Sequence, residues 1–407
     1  MNIALFTGCR DQYYSFGLTN ALLARGLRMD VIGGWEHERP DLQANPRLRF
    51  LRFGGAQTSK ETMVARTLRI LNYYGRLFAY APVAEPEIFH VLWNYKLEYF
   101  DRTLLMLYFK LLRKRVVLTL HNVNAGKRDS GDSWLNRLTL RIHYDLADHI
   151  FVHTSKMKSE LIAEFGVPED AVTVIPFGTN DVVPKKGIAS AEAKQRLGIN
   201  DGQKTILFFG NLGPYKGVEL LIAAFQRLRA ANPNYRLIVA GKPRGGCEGY
   251  AARLRTTIET SGFQADVQFR GEFIPDDEIE TYFQAADVLV LPYRSISQSG
   301  VLFLGQGFGL PVIATDVGSF SEHVIEGQTG FLCRPGDPHS LAEAIEKYFA
   351  SDLYHRLGEH RQAIQEHVRR RHSWQTVADL TASVYERLLK HQEVIRPDAG
   401  KFQEDRS

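Results

Sequence analysis

Short apolar runs alternate with longer stretches of helical period along the whole chain. Asn2-Ile-Ala-Leu-Phe6 is an uninterrupted apolar run closed by Thr7-Gly8, which predicts a buried first strand. A polar loop, Cys9 to Ser15, leads through Phe16-Gly17 into a helical stretch, Leu18 to Arg25. Arg28 to Gly33 and Leu48 to Phe53 read as the next strands. Arg115-Val-Val-Leu-Thr-Leu120 is the clearest strand of this half. His149 to His153 and Val172 to Pro176 follow, with a helix from Lys156 to Phe165 between them. Strand–helix–strand alternation predicts a parallel sheet with helices on both faces.

From Thr179 to Gln203 the pattern degrades, and only Ala189 to Leu197 reads as helix. The alternation then restarts. Strands are predicted at Thr205–Phe209, Arg236–Ala240, Val267–Phe269, Asp287–Leu291 and Val312–Ala314. Helices are predicted at 218–230, 250–261, 277–286, 341–349 and 373–391. The expected organisation is an α/β chain with two Rossmann-like, doubly wound domains facing across a cleft. The first domain is 1–180, 181–203 a linker and 204–372 the second domain. A C-terminal helix spans 373–392, with room to cross back to the first domain, and 393–407 is a disordered tail.

Residues 60–80 read as a helix on which Arg66, Arg69 and Arg76 share a face, with Tyr73, Tyr74, Leu77 and Phe78 alongside. A basic face with aromatics fits a helix lying in a membrane interface. A plain surface helix fits it too. Lys110-Leu-Leu-Arg-Lys-Arg115 is a second basic cluster.

The candidate chemistry gathers at the carboxyl ends of the predicted strands, where ligands sit in open parallel sheets. Strand 115–120 delivers His121 and Asn122; a structural histidine is the plainer alternative. Gly210-Asn-Leu-Gly-Pro-Tyr-Lys216-Gly217 is a glycine-rich loop before a helix. Lys216 reads either as a fixed cation for a diphosphate or as a solvated loop lysine. Further on, Phe273 and Ile274 follow the strand at 267–269. The polar loop Ser295 to Ser299 runs into Gly300 and a short apolar helix from Val301. Ser297 or Ser299 can cap that helix. The amides of Gly300 and Val301 would then face an anion, helped by the helix dipole. Gly300 would let a phosphate approach the main chain closely. An ordinary glycine–serine turn accounts for the same residues.

Composition narrows the class. A chain of 407 residues with 44% hydrophobic and 24% charged residues describes an ordinary globular protein of two or three domains. Three widely spaced cysteines, Cys9, Cys247 and Cys333, make neither a disulfide framework nor a metal cluster. The start of the chain carries no basic leader, and no stretch reaches the ~18 apolar residues of a membrane helix. A cytoplasmic protein is expected. The net charge is +4, but residues 1–200 hold 27 Lys and Arg against 20 Asp and Glu. A mildly basic first half suits an anionic partner such as the inner face of a membrane. Nothing points to nucleic acid.

Together these motifs resemble the retaining family-four group of the GT-B glycosyltransferases, the glycosyl transferases group 1. Gly210 to Gly217 is similar to that family's phosphate loop, with Lys216 on its diphosphate-binding lysine. Phe308 to Gly318 with Glu322, and Gly327-Gln-Thr-Gly330, resemble its donor-domain core. Thr119-Leu-His121-Asn resembles its histidine-bearing strand end, and Val174 to Gly178 its entry to the linker. Two departures stand out. Asn211 replaces the family's usual arginine, and its two glutamates, eight positions apart, fall on Ile296 and Leu304.

The resemblance implies a hexosyltransferase working from a nucleotide sugar on a glycan or lipid-linked acceptor, with retention, in polysaccharide or glycoconjugate biosynthesis. It implies no cofactor and no metal. It places Lys216 and His121 in catalysis. Donor contacts fall to Gly210, Asn211, Lys216, Gly217, Phe273, Ile274, Ser299, Gly300, Val301 and Glu322. Arg10, Phe16, Gly17 and Asn122 stand on the acceptor side. The missing glutamates leave a second reading, a catalytically inactive GT-B-like partner that binds nucleotide or glycan in a polysaccharide assembly system.

Overall fold

The computed structural model describes residues 1–34, 44–55, 62–129, 131–179 and 183–395. Among them are two wholly parallel sheets. The first contains Asn2–Phe6 (β1), Arg28–Gly33 (β2), Leu48–Arg52 (β3), Ile88–Val91 (β4), Arg115–Thr119 (β5), His149–Val152 (β6) and Val172–Val174 (β7). Its order is β3-β2-β1-β4-β5-β6-β7. The second contains Lys204–Phe209 (β8), Tyr235–Ala240 (β9), Val267–Arg270 (β10), Val288–Leu291 (β11), Val312–Thr315 (β12) and Gly330–Cys333 (β13), in the order β10-β9-β8-β11-β12-β13. Strands β6, β11 and β12 are buried along their whole length. Such strands need helices on both faces, which is why they read as continuous apolar runs. The winding reverses between β1 and β4 and again between β8 and β11, the places where an open sheet binds ligands.

The chain folds as two compact units. One holds Met1–Leu120, Asp132–Pro176 and the chain from Trp374 onward; the other holds His121–Gly131 and Phe177–Ser373. The expected linker is not a linker. Val183, Ile188, Ala193 and Ile199 are buried in the second unit's core. The Glu280 carboxylate accepts the main-chain N–H groups of Lys186, Gly187 and Ile188, and Lys194 pairs with buried Asp287 at 3.1 Å. Residues 180–182 lie outside the described residues, as do 396–407, which carry most of the expected tail.

The first helix starts earlier than the pattern predicts. It spans Gln12–Ala24, because Asp11 caps it by accepting the Tyr14 N–H at 3.1 Å. Phe16 and Gly17 therefore sit inside a helix, not on a binding loop. Phe16 is buried, and a Cβ on Gly17 would lie 2.0–2.4 Å from the Trp374 indole. Gly17 thus leaves the space in which Trp374, at the start of the C-terminal helix Trp374–Ile395, is seated. The pattern also passes over β4, a four-residue strand with a histidine at its centre. That histidine, His90, is fully buried between Tyr385 Oη at 2.5 Å and Thr119 Oγ1 at 2.7 Å.

The helix expected at 60–80 spans Met63–Val83, and its outward face differs from the expected one. Tyr73, Tyr74 and Leu77 point into the core, where Tyr73 stacks on Tyr95 and the Tyr74 hydroxyl donates to Asp101 at 2.7 Å. Arg69 donates to Tyr95 Oη at 2.7 Å, and Arg76 to the Arg52 carbonyl at 3.2 Å. The second basic cluster is also committed inward. Lys110 and Arg115 pair with Asp148, and Lys114 donates to the Ala84 and Pro86 carbonyls. What faces outward instead is Val64, Leu68, Leu71 and Phe78, one helical stripe, beside exposed Leu104, Leu107 and Leu111. Phe78 and Tyr108 join the two stripes through a 4.8 Å ring contact. Among the described residues, no helix is long and apolar enough to cross a membrane.

The first unit depends on histidines that stay neutral. Burial pulls His90 and His143 down to about 3 and His149 to about 4. In the unfolded chain the same side chains protonate from about pH 6.5. Their folded pKa values are depressed, so this stability is full above pH 6.5 and is lost as pH falls toward 4 and 3. Replacing His90 with Gln should cut the loss of stability between pH 7 and pH 5 by about 1–2 kcal/mol. Denaturant unfolding of both proteins at the two pH values measures it.

Candidate functional site

The second unit's site is built by glycines that let strand ends approach. Gly210 follows β8 with φ +114°, and a Cβ there would meet Val301 Cγ2 at 3.1 Å. On Gly241, after β9, a Cβ would lie 2.1 Å from the Gly210 carbonyl. The β8 loop is then tied to the β9 loop by Leu212 N–H on Lys242 O at 2.8 Å and Arg244 N–H on Leu212 O at 2.9 Å. Gly217 has φ +62°, and a Cβ would fall 2.1 Å from the Pro292 carbonyl after β11. No side chain fits there, so the loop lies directly on the end of β11.

That contact decides where Lys216 goes. Its side chain is buried, 6% exposed, with Nζ 3.8 Å from the centre of the Tyr293 ring. An ammonium over an aromatic face is attracted by the ring's quadrupole, more so out of water. The other end of Tyr293, its hydroxyl, lies 3.3 Å from Ser299 Oγ. Ser299 stands at the N-cap of the helix Gly300–Gly307, but its hydroxyl makes no capping hydrogen bond. The expected cap is therefore absent. Among the described residues, neither Gly300 N–H nor Val301 N–H donates to a main-chain carbonyl. A helix start with its first amides uncapped and a buried ammonium nearby suits a phosphate group.

The remaining predicted residues divide. Gly300 has an ordinary neighbour only, with a Cβ reaching Phe177 at 3.7 Å. Phe177 stacks on Phe303 of the same helix, and the His121 ring stands edge-on to Phe177 at 6.2 Å. The segment 121–131 thus joins the second unit and brings His121 toward the helix start. It is fastened by a two-pronged ion pair, Arg244 to Asp129 at 3.0 and 3.1 Å, and Arg244 lies 5.8 Å from the Tyr215 ring. Asn122 is half-buried and Asn211 exposed. Phe273 is 61% exposed, with Lys242 Nζ 5.3 Å from its ring. Ile274 is buried in the core of the second unit. Glu322 is half-buried on the single turn Phe320–His323. In the first unit, Arg10 pairs with Glu98 at 2.9 Å. Among the described residues, no group of three His, Cys, Asp or Glu could hold a metal ion.

Two family models match the chain. The one described as Glycosyltransferase Family 4 matches residues 12–182, and the one described as Glycosyl transferases group 1 matches residues 189–371. The chain is a family-four glycosyltransferase with the GT-B fold. It is 29% identical to D-inositol 3-phosphate glycosyltransferase of Corynebacterium glutamicum over 70% of this chain and 69% of that one. The same-named protein of Acidothermus cellulolyticus is 30% identical over 49% of this chain and 45% of its own length. Some of these relatives are therefore matched over only about half their length. Among solved structures, sucrose-phosphate synthase from Thermosynechococcus elongatus superposes with a TM-score of 0.78 at 20% identity, covering 96% of this chain and 100% of that one. HepE of Anabaena in complex with UDP-glucose gives 0.73 at 19%, covering 95% and 99%.

Several residues that build this glycosyltransferase's site were not singled out from sequence. Tyr293 and Phe177 read as core aromatics, and the Arg244–Asp129 pair joins residues 115 apart. In the loop after β8 the local signal was a lysine followed by a glycine, at 216–217. The glycines separate into two kinds. Gly217→Ala should destabilise the fold by about 1–3 kcal/mol, through strain at positive φ and the clash with Pro292 O. Gly300→Ala should leave stability unchanged or slightly raised, since alanine favours a helix start over glycine. Thermal melts of both variants without ligand check the contrast.

Proposed function

We propose that this glycosyltransferase transfers a hexosyl group from a nucleotide sugar, held by the second unit, to a glycan or lipid-linked acceptor served by the first. The anomeric configuration is retained, no metal ion takes part, and the product belongs to polysaccharide or glycoconjugate biosynthesis on the cytoplasmic face of a membrane. The observation that carries this reading is buried Lys216 on Tyr293, next to the uncapped start of the helix Gly300–Gly307. Departure of a nucleoside diphosphate builds negative charge as the bond from the sugar's anomeric carbon to the phosphate oxygen breaks. A fixed ammonium and the Gly300 and Val301 N–H groups stabilise that charge in place. As the new bond to the acceptor oxygen forms, the acceptor's proton passes to the leaving phosphate oxygen. No separate base is needed. His121 contacts the sugar, and Glu322 orients it or its loop. Phe273, exposed beside Lys242, offers a face for the nucleotide base. The UDP-glucose complex of the HepE neighbour and the inositol phosphate relatives support a nucleotide-sugar donor.

Incubation with labelled UDP-, GDP- and ADP-sugars should release free diphosphate, with no loss of rate in EDTA. Lys216→Ala should lower turnover at least ~100-fold, as expected on losing a charge-stabilising group. A wild-type protein that binds a nucleotide sugar yet releases nothing would instead be the inactive partner, the reading that Ile296 and Leu304 favour.

The same proposal includes peripheral contact with an anionic membrane surface. Its support is the exposed stripe Val64, Leu68, Leu71 and Phe78 with Leu104, Leu107 and Leu111, and exposed Arg66 on the same helix. Apolar side chains flanked by cations suit a bilayer interface. The protein should co-sediment with phosphatidylglycerol-containing vesicles. Leu68→Ser, Leu71→Ser and Leu107→Ser combined should abolish that binding while leaving donor turnover intact.

A further inference from the structure

Gln298 lies in the loop between β11 and the helix Gly300–Gly307, one residue before the N-cap. Its carboxamide is out of water, and among the described residues neither Nε2 nor Oε1 has a hydrogen-bond partner. Burying an amide without partners is costly, and nearly all buried polar groups are paired. The loop around it is otherwise fixed. Ser299 Oγ faces Tyr293 Oη, and Gly318 packs so tightly below that a Cβ would lie 1.9 Å from Ile296 O and 3.1 Å from Ser297 O.

Gly318 also links this loop to a second polar group in the same condition. Ser319 is 1% exposed, and its hydroxyl has no partner among the described residues either. Two touching loops beside the diphosphate seat thus each hold back a buried polar side chain. A nucleotide sugar has hydroxyls that must be matched once water is excluded. The two positions where the family carries carboxylates cannot do it here. Ile296 packs against the core and Leu304 is buried within it.

We propose that the Gln298 carboxamide recognises the hydroxyls of the transferred sugar. One acceptor oxygen and two N–H donors suit a pair of adjacent hydroxyls, each of which both donates and accepts. Gln298 makes the uncharged reading head of a donor pocket that lacks both carboxylates. This rests on the donor-site reading proposed above.

The test compares affinity for UDP, GDP and ADP with affinity for their glucose conjugates, using whichever base the wild-type protein binds. Gln298→Met keeps the volume and removes the polar atoms. Without ligand its melting temperature should equal or exceed the wild type, because no protein hydrogen bond is lost. Its affinity for the nucleoside diphosphate should stay within about twofold. Affinity for the glucose conjugate, and kcat/KM, should fall about 10- to 100-fold, the loss of one or two neutral hydrogen bonds. Gln298→Glu, which keeps an acceptor, should recover part of the loss. A lower melting temperature for Gln298→Met, or an equal loss for diphosphate and conjugate, would overturn the assignment, as would no loss at all. If the wild-type protein binds none of the three diphosphates, the donor-site reading itself fails, and that outcome is separate from any behaviour of the variants.

Discussion

The candidate site of this glycosyltransferase depends on one close approach, the Gly217 main chain lying on the Pro292 carbonyl. It joins the loop after β8 to the end of β11, across the point where the sheet's winding reverses. With the loop held there, the Lys216 ammonium lies over the face of Tyr293. Tyr293 in turn is anchored at both ends, its carbonyl accepting from Thr315 Oγ1 at 2.6 Å and its hydroxyl meeting Ser299. A buried cation on a rigid ring is already in position before any anion arrives. Preorganisation of this kind is what lets charge be stabilised without rearrangement at the moment of reaction.

The glycines of the site do two different jobs. Gly210, Gly217, Gly241 and Gly318 all have positive φ, and at each a Cβ would meet main-chain or side-chain atoms at 3.1 Å or less. They exist so that loops can touch. Gly300 is under no such constraint, since its φ is ordinary and its nearest neighbour is a ring at van der Waals distance. The fold does not ask for a glycine there. The phosphate proposed to rest on the helix start does.

The first unit is organised around a different contact. The C-terminal helix reaches its first helix through Trp374 in the space left by Gly17, and reaches its sheet through Tyr385 on His90. His149 of β6 also meets Arg387 of that helix at 3.3 Å. The last helix of the chain is thereby part of the first unit's core, and its histidine contacts make that core sensitive to acid.

By itself the sequence determined the fold class and the loops that carry chemistry. Strands buried on both faces must be continuous apolar runs, and loops at strand ends must be rich in glycine, so both leave a local mark. It also showed that Ile296 and Leu304 stand where the family has carboxylates. What only the tertiary structure decided depends on partners far away in the chain. Phe16 and Gly17 became helix interior because Asp11 caps and Trp374 fills. The expected linker became core because Glu280 holds its main chain. The aromatic side of the helix Met63–Val83 turned inward because Tyr95 and Asp101 were there to receive it. Lys216 and Gln298 are both polar residues in polar loops, and nothing local separates them from solvated ones. Their burial, and so their candidacy for function, comes from which loops the sheet order brings together.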